Sequence, residues 1–134
     1  WGNLAAAYDL NGQKEKARKS YLTAIEKAKE QLDINPNNPE VMADLGAYYS
    51  DVGDTSRALS YIRQATAISA DNILIKQRAV ATYEKLGMRQ DALKWIEASM
   101  ISDIESQPEF RALISDPGYL ELKKKLSTDQ PINN

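Results

Sequence analysis

The sequence predicts an all-α solenoid of stacked helical hairpins, with three repeats and a set of C-terminal capping helices. Three observations predict it. Tyr49, Gly53, Ala58 and Ala65 recur thirty-four residues later as Tyr83, Gly87, Ala92 and Ser99. The same skeleton stands upstream as Leu4, Tyr8, Gly12, Ala17, Tyr21 and Ala24. Within each copy the apolar positions fall at helical spacing, so they share a helix face. A self-similar period in the thirties marks small units that bury their apolar faces only against their neighbours.

The elements follow in order. In repeat one, Leu4 and Tyr8 lie four apart and predict a first helix over Trp1–Leu10. Gly12, Gly53 and Gly87 each fall where a first helix stops, the left-handed position that only glycine takes cheaply. Ala17, Tyr21 and Ala24 form the stripe of the second helix, where small residues allow close approach. From Leu4 to Leu45 and from Tyr8 to Tyr49 the spacing is forty-one, not thirty-four. The seven extra residues lie in Glu26–Ile34 and amount to about two helical turns. Ala24, Ala28 and Leu32 stay in phase, which predicts one long helix from about Gln13 to Asp33. Glu26, Lys27, Lys29 and Glu30 clothe its solvated face.

In repeat two, Asn38 before Pro39 reads as a capping residue followed by a first-turn proline. Asp54 reads as the N-cap of the next helix. Repeat three carries Ala79, Tyr83, Gly87, Ala92 and Ser99. A fourth copy, counted from Ile73, begins at Gln107 and collapses at Asp116-Pro117. Pro108–Ile114 and Pro117–Leu126 then read as two short helices, with Tyr119, Leu120 and Leu122 as their apolar surface. Lys123–Lys125 suit a helix C-terminus. The boundaries are a single domain over 1–126, with repeats at about 1–38, 39–72 and 73–106, a cap over 107–126 and a polar stretch over 127–134 expected to be a flexible tail.

These motifs carry a family resemblance. Trp1-x-x-Leu4-x-x-x-Tyr8 followed by Ala17-x-x-x-Tyr21-x-x-Ala24 resembles the tetratricopeptide pattern. So does Leu45-Gly46-x-x-Tyr49 with Gly53-Asp54, Ala58 and Ala65. The third copy departs at Lys76, where the family prefers Trp, and at Ala79-Val80, where it prefers Leu-Gly. Gln107-Pro108-Glu109-Phe110 through Asp116-Pro117-x-Tyr119-x-x-Leu122 is similar to the close of bacterial multidomain signalling proteins. There, such repeats follow a kinase, a cyclase or a winged-helix domain. With no initiator Met and Trp1 inside the first motif, the chain reads as a fragment of a longer protein.

Composition narrows the chemistry. The chain has 134 residues, enough for a real core, and no apolar run of transmembrane length. A formal net charge of −2 gives no general attraction to phosphate backbones. His and Cys are both absent, which removes nucleophilic triads and the usual zinc ligands. Glu97, Asp103 and Glu105 read as a solvated face rather than an acid–base pair. Lys14–Lys19 and Lys123–Lys125 read as helix surface rather than nucleic-acid contacts. Tyr61 and Trp95 hold equivalent places beside the core stripe. No enzyme activity, cofactor or metal is expected, and a cytoplasmic location is.

The resemblance implies a concave groove lined by the first helix of each repeat. Its positions here are Asn3, Ala6 and Asp9, then Glu40, Ala43, Asp44, Ala47 and Asp51, then Leu74, Gln77, Arg78, Ala81 and Lys85. Gly2, Ser50 and Glu84 fall on the same faces. The groove is floored by Ala and fringed by charge. Repeats that clamp acidic chaperone tails carry Lys, Asn and Arg at positions held here by Gly2, Ala6, Asp44, Leu74 and Arg78. Only Arg78 agrees, and Asp44 opposes a carboxylate. The expected function is a protein–protein interaction module that takes a peptide or protein in this groove. The alternative is a spacer or weak self-association module for a preceding signalling domain.

Overall fold

The computed structural model describes residues 2–128. Nine α-helices run in chain order, and no strand occurs among the described residues. They are α1 (Gly2–Leu10), α2 (Lys14–Ile34), α3 (Pro39–Asp51), α4 (Thr55–Ile68), α5 (Ile73–Lys85), α6 (Arg89–Lys94), α7 (Ile101–Ser106), α8 (Arg111–Ile114) and α9 (Pro117–Thr128). Single 3₁₀ turns at Ala98–Met100 and Pro108–Phe110 lead into α7 and α8. The expectations that rest on Trp1 and on residues 129–134 lie outside the described residues.

Local chemistry sets the ends. The Asn38 side chain accepts from the Glu40 and Val41 amides, and Pro39 opens α3 where a free N–H is not needed. Asp54 accepts from the Arg57 amide to open α4. Asn72 caps α5 as Asn38 caps α3. Gly12, Gly53 and Gly87 all have positive φ, between +73° and +84°. Each turns the chain from the first helix of a hairpin into the second. α2 has 21 residues and α4 has 14, so the insertion lengthens the helix by seven residues without a break.

Packing differs from repeat to repeat. Leu45, Tyr49 and Ala58 share a cluster with Ile25 and Ala28, so α2 covers the face that α3 turns toward it. Leu4 is equivalent to Leu45 but 43% exposed, where Leu45 is wholly buried. The sequence stripe had placed Leu4 inside. Among the described residues no helix lies against its face as α2 lies against Leu45. In α1 only Ala5 is buried.

Repeat three departs further. Its second helix, α6, ends at Lys94 after six residues, and Ser99 is exposed on the following 3₁₀ turn rather than on the hairpin stripe. Two physical reasons stand in the sequence. Gly46 lets α4 approach closely: a Cβ there would lie 3.2 Å from the Ile62 amide nitrogen. The equivalent position in repeat three is Val80, whose buried side chain packs in one cluster with Ala92 and Ile96 and fills the space that Gly46 leaves open. Ala92, Ile96, Met100 and Ile104 also recur every four residues. A straight helix rotates such positions by about 40° per step. The break lets all four enter the core.

The cap joins this core. Phe110, Leu113 and Tyr119 cluster with Ile75, Val80, Tyr83, Ala92 and Ile96. Leu120, expected to add apolar surface, is exposed, and α9 runs to Thr128 rather than stopping at Leu126. Tyr61 stacks on Tyr49 at 5.7 Å, and Trp95 is half-buried against the main core, so both pack. Lys16 lies over the Tyr8 ring, and Arg18 donates to the Val52 carbonyl.

Candidate functional site

Three helices present equivalent residues in register. Ala6, Ala47 and Ala81 form one row across α1, α3 and α5. Asn3, Asp44 and Arg78 form a second, and Leu10, Asp51 and Lys85 a third. The small central row leaves an open cavity of about 490 Å³ between the outer two.

Nine of the thirteen positions read from the sequence line this cavity: Asn3, Ala6, Asp9, Asp44, Ala47, Asp51, Arg78, Ala81 and Lys85. Four do not. Ala43 is wholly buried in the core and presents nothing to the groove. Glu40 is exposed at the start of α3 and receives a hydrogen bond from Asn72. Leu74 is exposed at the start of α5. Gln77 faces a smaller neighbouring cavity of about 170 Å³, which shares Arg78, Ala81, Gln107 and Glu109 with the first. Gly2 and Ser50 line the main cavity, whereas Glu84 turns away to pair with Arg89.

Other residues enter that the repeat pattern did not select. Tyr21 comes from α2, with its ring 6.3 Å from that of Tyr48 on α3. Tyr48 fills the α1–α3 seam against Gly2, where a Cβ would meet its ring at 2.8 Å. Tyr48 was legible in outline, since it stands four residues after Asp44. Thr82 lines the cavity from α5. The turn Gln107-Pro108-Glu109 closes one end, brought there by the cap.

Electrostatics follow from this geometry. The Arg78 Nε donates to Asp44 Oδ1 at 3.0 Å, and Lys85 Nζ lies 3.1 Å from Asp51. Even so, burial pushes the carboxyls of Asp44 and Asp51 above their ordinary range, against the pull of those cations. Glu109 keeps an exposed side chain, yet crowding by the cavity walls, with Asp51 adding repulsion, pushes it up as well. Tyr21 is pushed up by burial and then by Asp51, Asp9 and Glu109. With Asp9, Asp44, Asp51 and Glu109 facing only Arg78 and Lys85, negative charge in the cavity is only partly neutralised.

The remaining acidic residues are dispersed. Glu97 pairs with Lys76, while Glu105 accepts from Tyr119 and Lys123. No group of three carboxylates among the described residues is placed to hold a metal ion. No helix of the described residues is long and apolar enough to cross a membrane.

Comparison with known proteins agrees with the repeat register. Neither the curated proteins nor the solved structures returned a match. The family model for the tetratricopeptide repeat matches twice, over residues 1–38 and 39–72, together more than half of the chain. Repeats of this kind generally mediate protein–protein interactions and are typically non-enzymatic scaffolds. Two in-register family matches and the helical hairpins that realise them establish that this chain belongs to the tetratricopeptide repeat family.

Proposed function

We propose that the cavity between α1, α3 and α5 binds a segment of a protein partner. One observation carries the reading: the Ala6, Ala47 and Ala81 row floors an open cavity fringed by charge on both sides. Small residues leave room for a partner's side chains, and flanking polar groups fix orientation. The module serves a larger, bacterial signalling protein in the cytoplasm, in keeping with the Gln107–Leu122 pattern. A random peptide library selected against the protein tests the groove. Selected peptides should shift the amides of Ala47 and Ala81, and Ala47→Phe should abolish binding while the helical signal persists. Binding that survives Ala47→Phe contradicts the reading.

A second reading draws on the first hairpin. Leu4, Leu10 and Leu22 are exposed there, and exposed apolar surface favours a partner. Weak self-association through this end is the alternative role. Light scattering across a concentration series checks it, and a monomer at every concentration rejects it.

A further inference from the structure

We propose that the segment the groove takes is basic, and that a lysine or arginine side chain of the partner enters the cavity between Asp9, Asp51 and Glu109. This rests on the groove reading above. The lining carries four carboxylates, Asp9, Asp44, Asp51 and Glu109, against two cations, Arg78 and Lys85. Arg78 is committed to Asp44 and Lys85 to Asp51. Asp9 and Glu109 form no ion pair among the described residues.

A second observation is independent of charge. A helical threonine hydroxyl ordinarily donates to a carbonyl one turn back. Thr66 does so, to Ile62 at 2.9 Å. Thr82 lines the cavity, is only 1% exposed, and its hydroxyl has no hydrogen-bond partner among the described residues. The unpaired hydroxyl oxygen keeps its lone pairs free, so it can accept a hydrogen bond from a guest N–H. Guest N–H donors are what ammonium and guanidinium groups bring.

The remaining features fit the same guest. Burial holds Asp44 and Asp51 above their ordinary range, and the cavity walls with Asp51 do the same to Glu109, so an incoming cation favours the charged form of all three. The carboxylates are not grouped as metal ligands. They line an open cavity of about 490 Å³, which suits the side chain of a polypeptide rather than a single ion. The rings of Tyr21 and Tyr48 offer flat faces to a guanidinium or to an alkyl stem.

The experiment uses peptides selected from the random library, synthesised and measured by fluorescence anisotropy with amide-shift mapping. The expected result is enrichment of Lys and Arg, shifts at Ala47, Ala81 and Thr82, and weaker binding as salt rises. The Asp9→Asn and Glu109→Gln double variant should lose about tenfold in affinity. Asp33→Asn, on the far part of α2, should lose nothing, and thermal melts confirm that each variant folds. Peptides that map to the groove but are acidic or neutral overturn this inference and leave the groove reading standing. So does a double variant that binds as well as the parent. Peptides that shift residues elsewhere overturn both.

Discussion

Asp44 and Arg78 stand one repeat period apart in the chain and 3.0 Å apart in space. Asp51 and Lys85 repeat the relationship, 3.1 Å apart. Equivalent positions on successive first helices must face the same side of a solenoid, so opposite charges placed there meet across the helix seam. These ties join α3 to α5 along the groove wall.

The Asp44–Arg78 tie should contribute little to stability. Both side chains are more than a third exposed, so water screens them. A double-mutant cycle with Asp44→Ala and Arg78→Ala should return a coupling of about 0.2–1 kcal/mol. A coupling several times larger would show that the wall is far less solvated than its geometry implies.

Core and groove faces should rank oppositely. Tyr49 is buried and stacked parallel on Tyr61. Tyr49→Ala should cost on the order of 3 kcal/mol or more in urea melts. Asp51→Ala should stay within about half a kcal/mol. The reverse order would mean the faces are assigned wrongly.

Two glycines should fail for different reasons. Gly53 has φ +84° with open space around it, so Gly53→Ala costs only backbone strain, about 1–2 kcal/mol. Gly46 is helical and pressed against Ile62 and the Ala58 carbonyl. Gly46→Val should cost about 1–3 kcal/mol by overpacking. It should also shorten the protected part of α4 in hydrogen exchange, as Val80 accompanies the short α6. An unshortened α4 would refute that account of repeat three.

Acidification should reveal two opposite slopes. Burial holds the Asp51 carboxyl above its unfolded value, with Lys85 and Tyr21 pulling it down and Asp9 pushing up. The folded state binds this proton more tightly. Its contribution to stability therefore rises as pH falls through the folded pKa. Asp51→Asn should remove that gain. Glu105 is held below its ordinary value by the hydrogen bonds from Lys123 and Tyr119. Its stabilising contribution is present above the unfolded pKa and is lost as pH falls through the folded one. Chemical denaturation from about pH 7 to about pH 3 should give Asp51→Asn and Glu105→Gln slopes that differ from the parent in opposite senses.

The cap should depend on one clamp. Arg89 donates to Glu84 and to Asp116, and Asp116 accepts from the Gly118 amide at the start of α9. One carboxylate thus both opens α9 and ties it to repeat three. Asp116→Ala should speed amide exchange throughout α9 while α3 and α4 keep their protection. Equal exchange in the variant and the parent would mean that Tyr119 and Phe110 anchor the cap without the clamp.

The sequence by itself determined the periodic part of this protein. Gly12, Gly53 and Gly87 are confined to turns because only glycine takes their φ cheaply. Asn38, Asp54 and Pro39 mark helix starts through bonds within a few residues, and the long α2 follows from a phase-preserving insertion. Nine cavity-lining positions were legible through the family resemblance, because equivalent residues of a repeat face the same way. Local chemistry and a fixed period carry that information along the chain.

Only the tertiary structure decided the rest. Leu4 obeys the repeat pattern yet is exposed, because burial depends on a neighbouring helix and not on the pattern itself. Repeat three kept Tyr83, Gly87 and Ala92 while its second helix broke. The Val80 signal was visible in the sequence, but its cost could be judged only where two helices meet. Gln107-Pro108-Glu109 reached the cavity because the cap folds back across a long stretch of chain. Thr82 became an unpaired hydroxyl only when α5 packed into place. Such features arise from groups distant in sequence, and no local spacing encodes them.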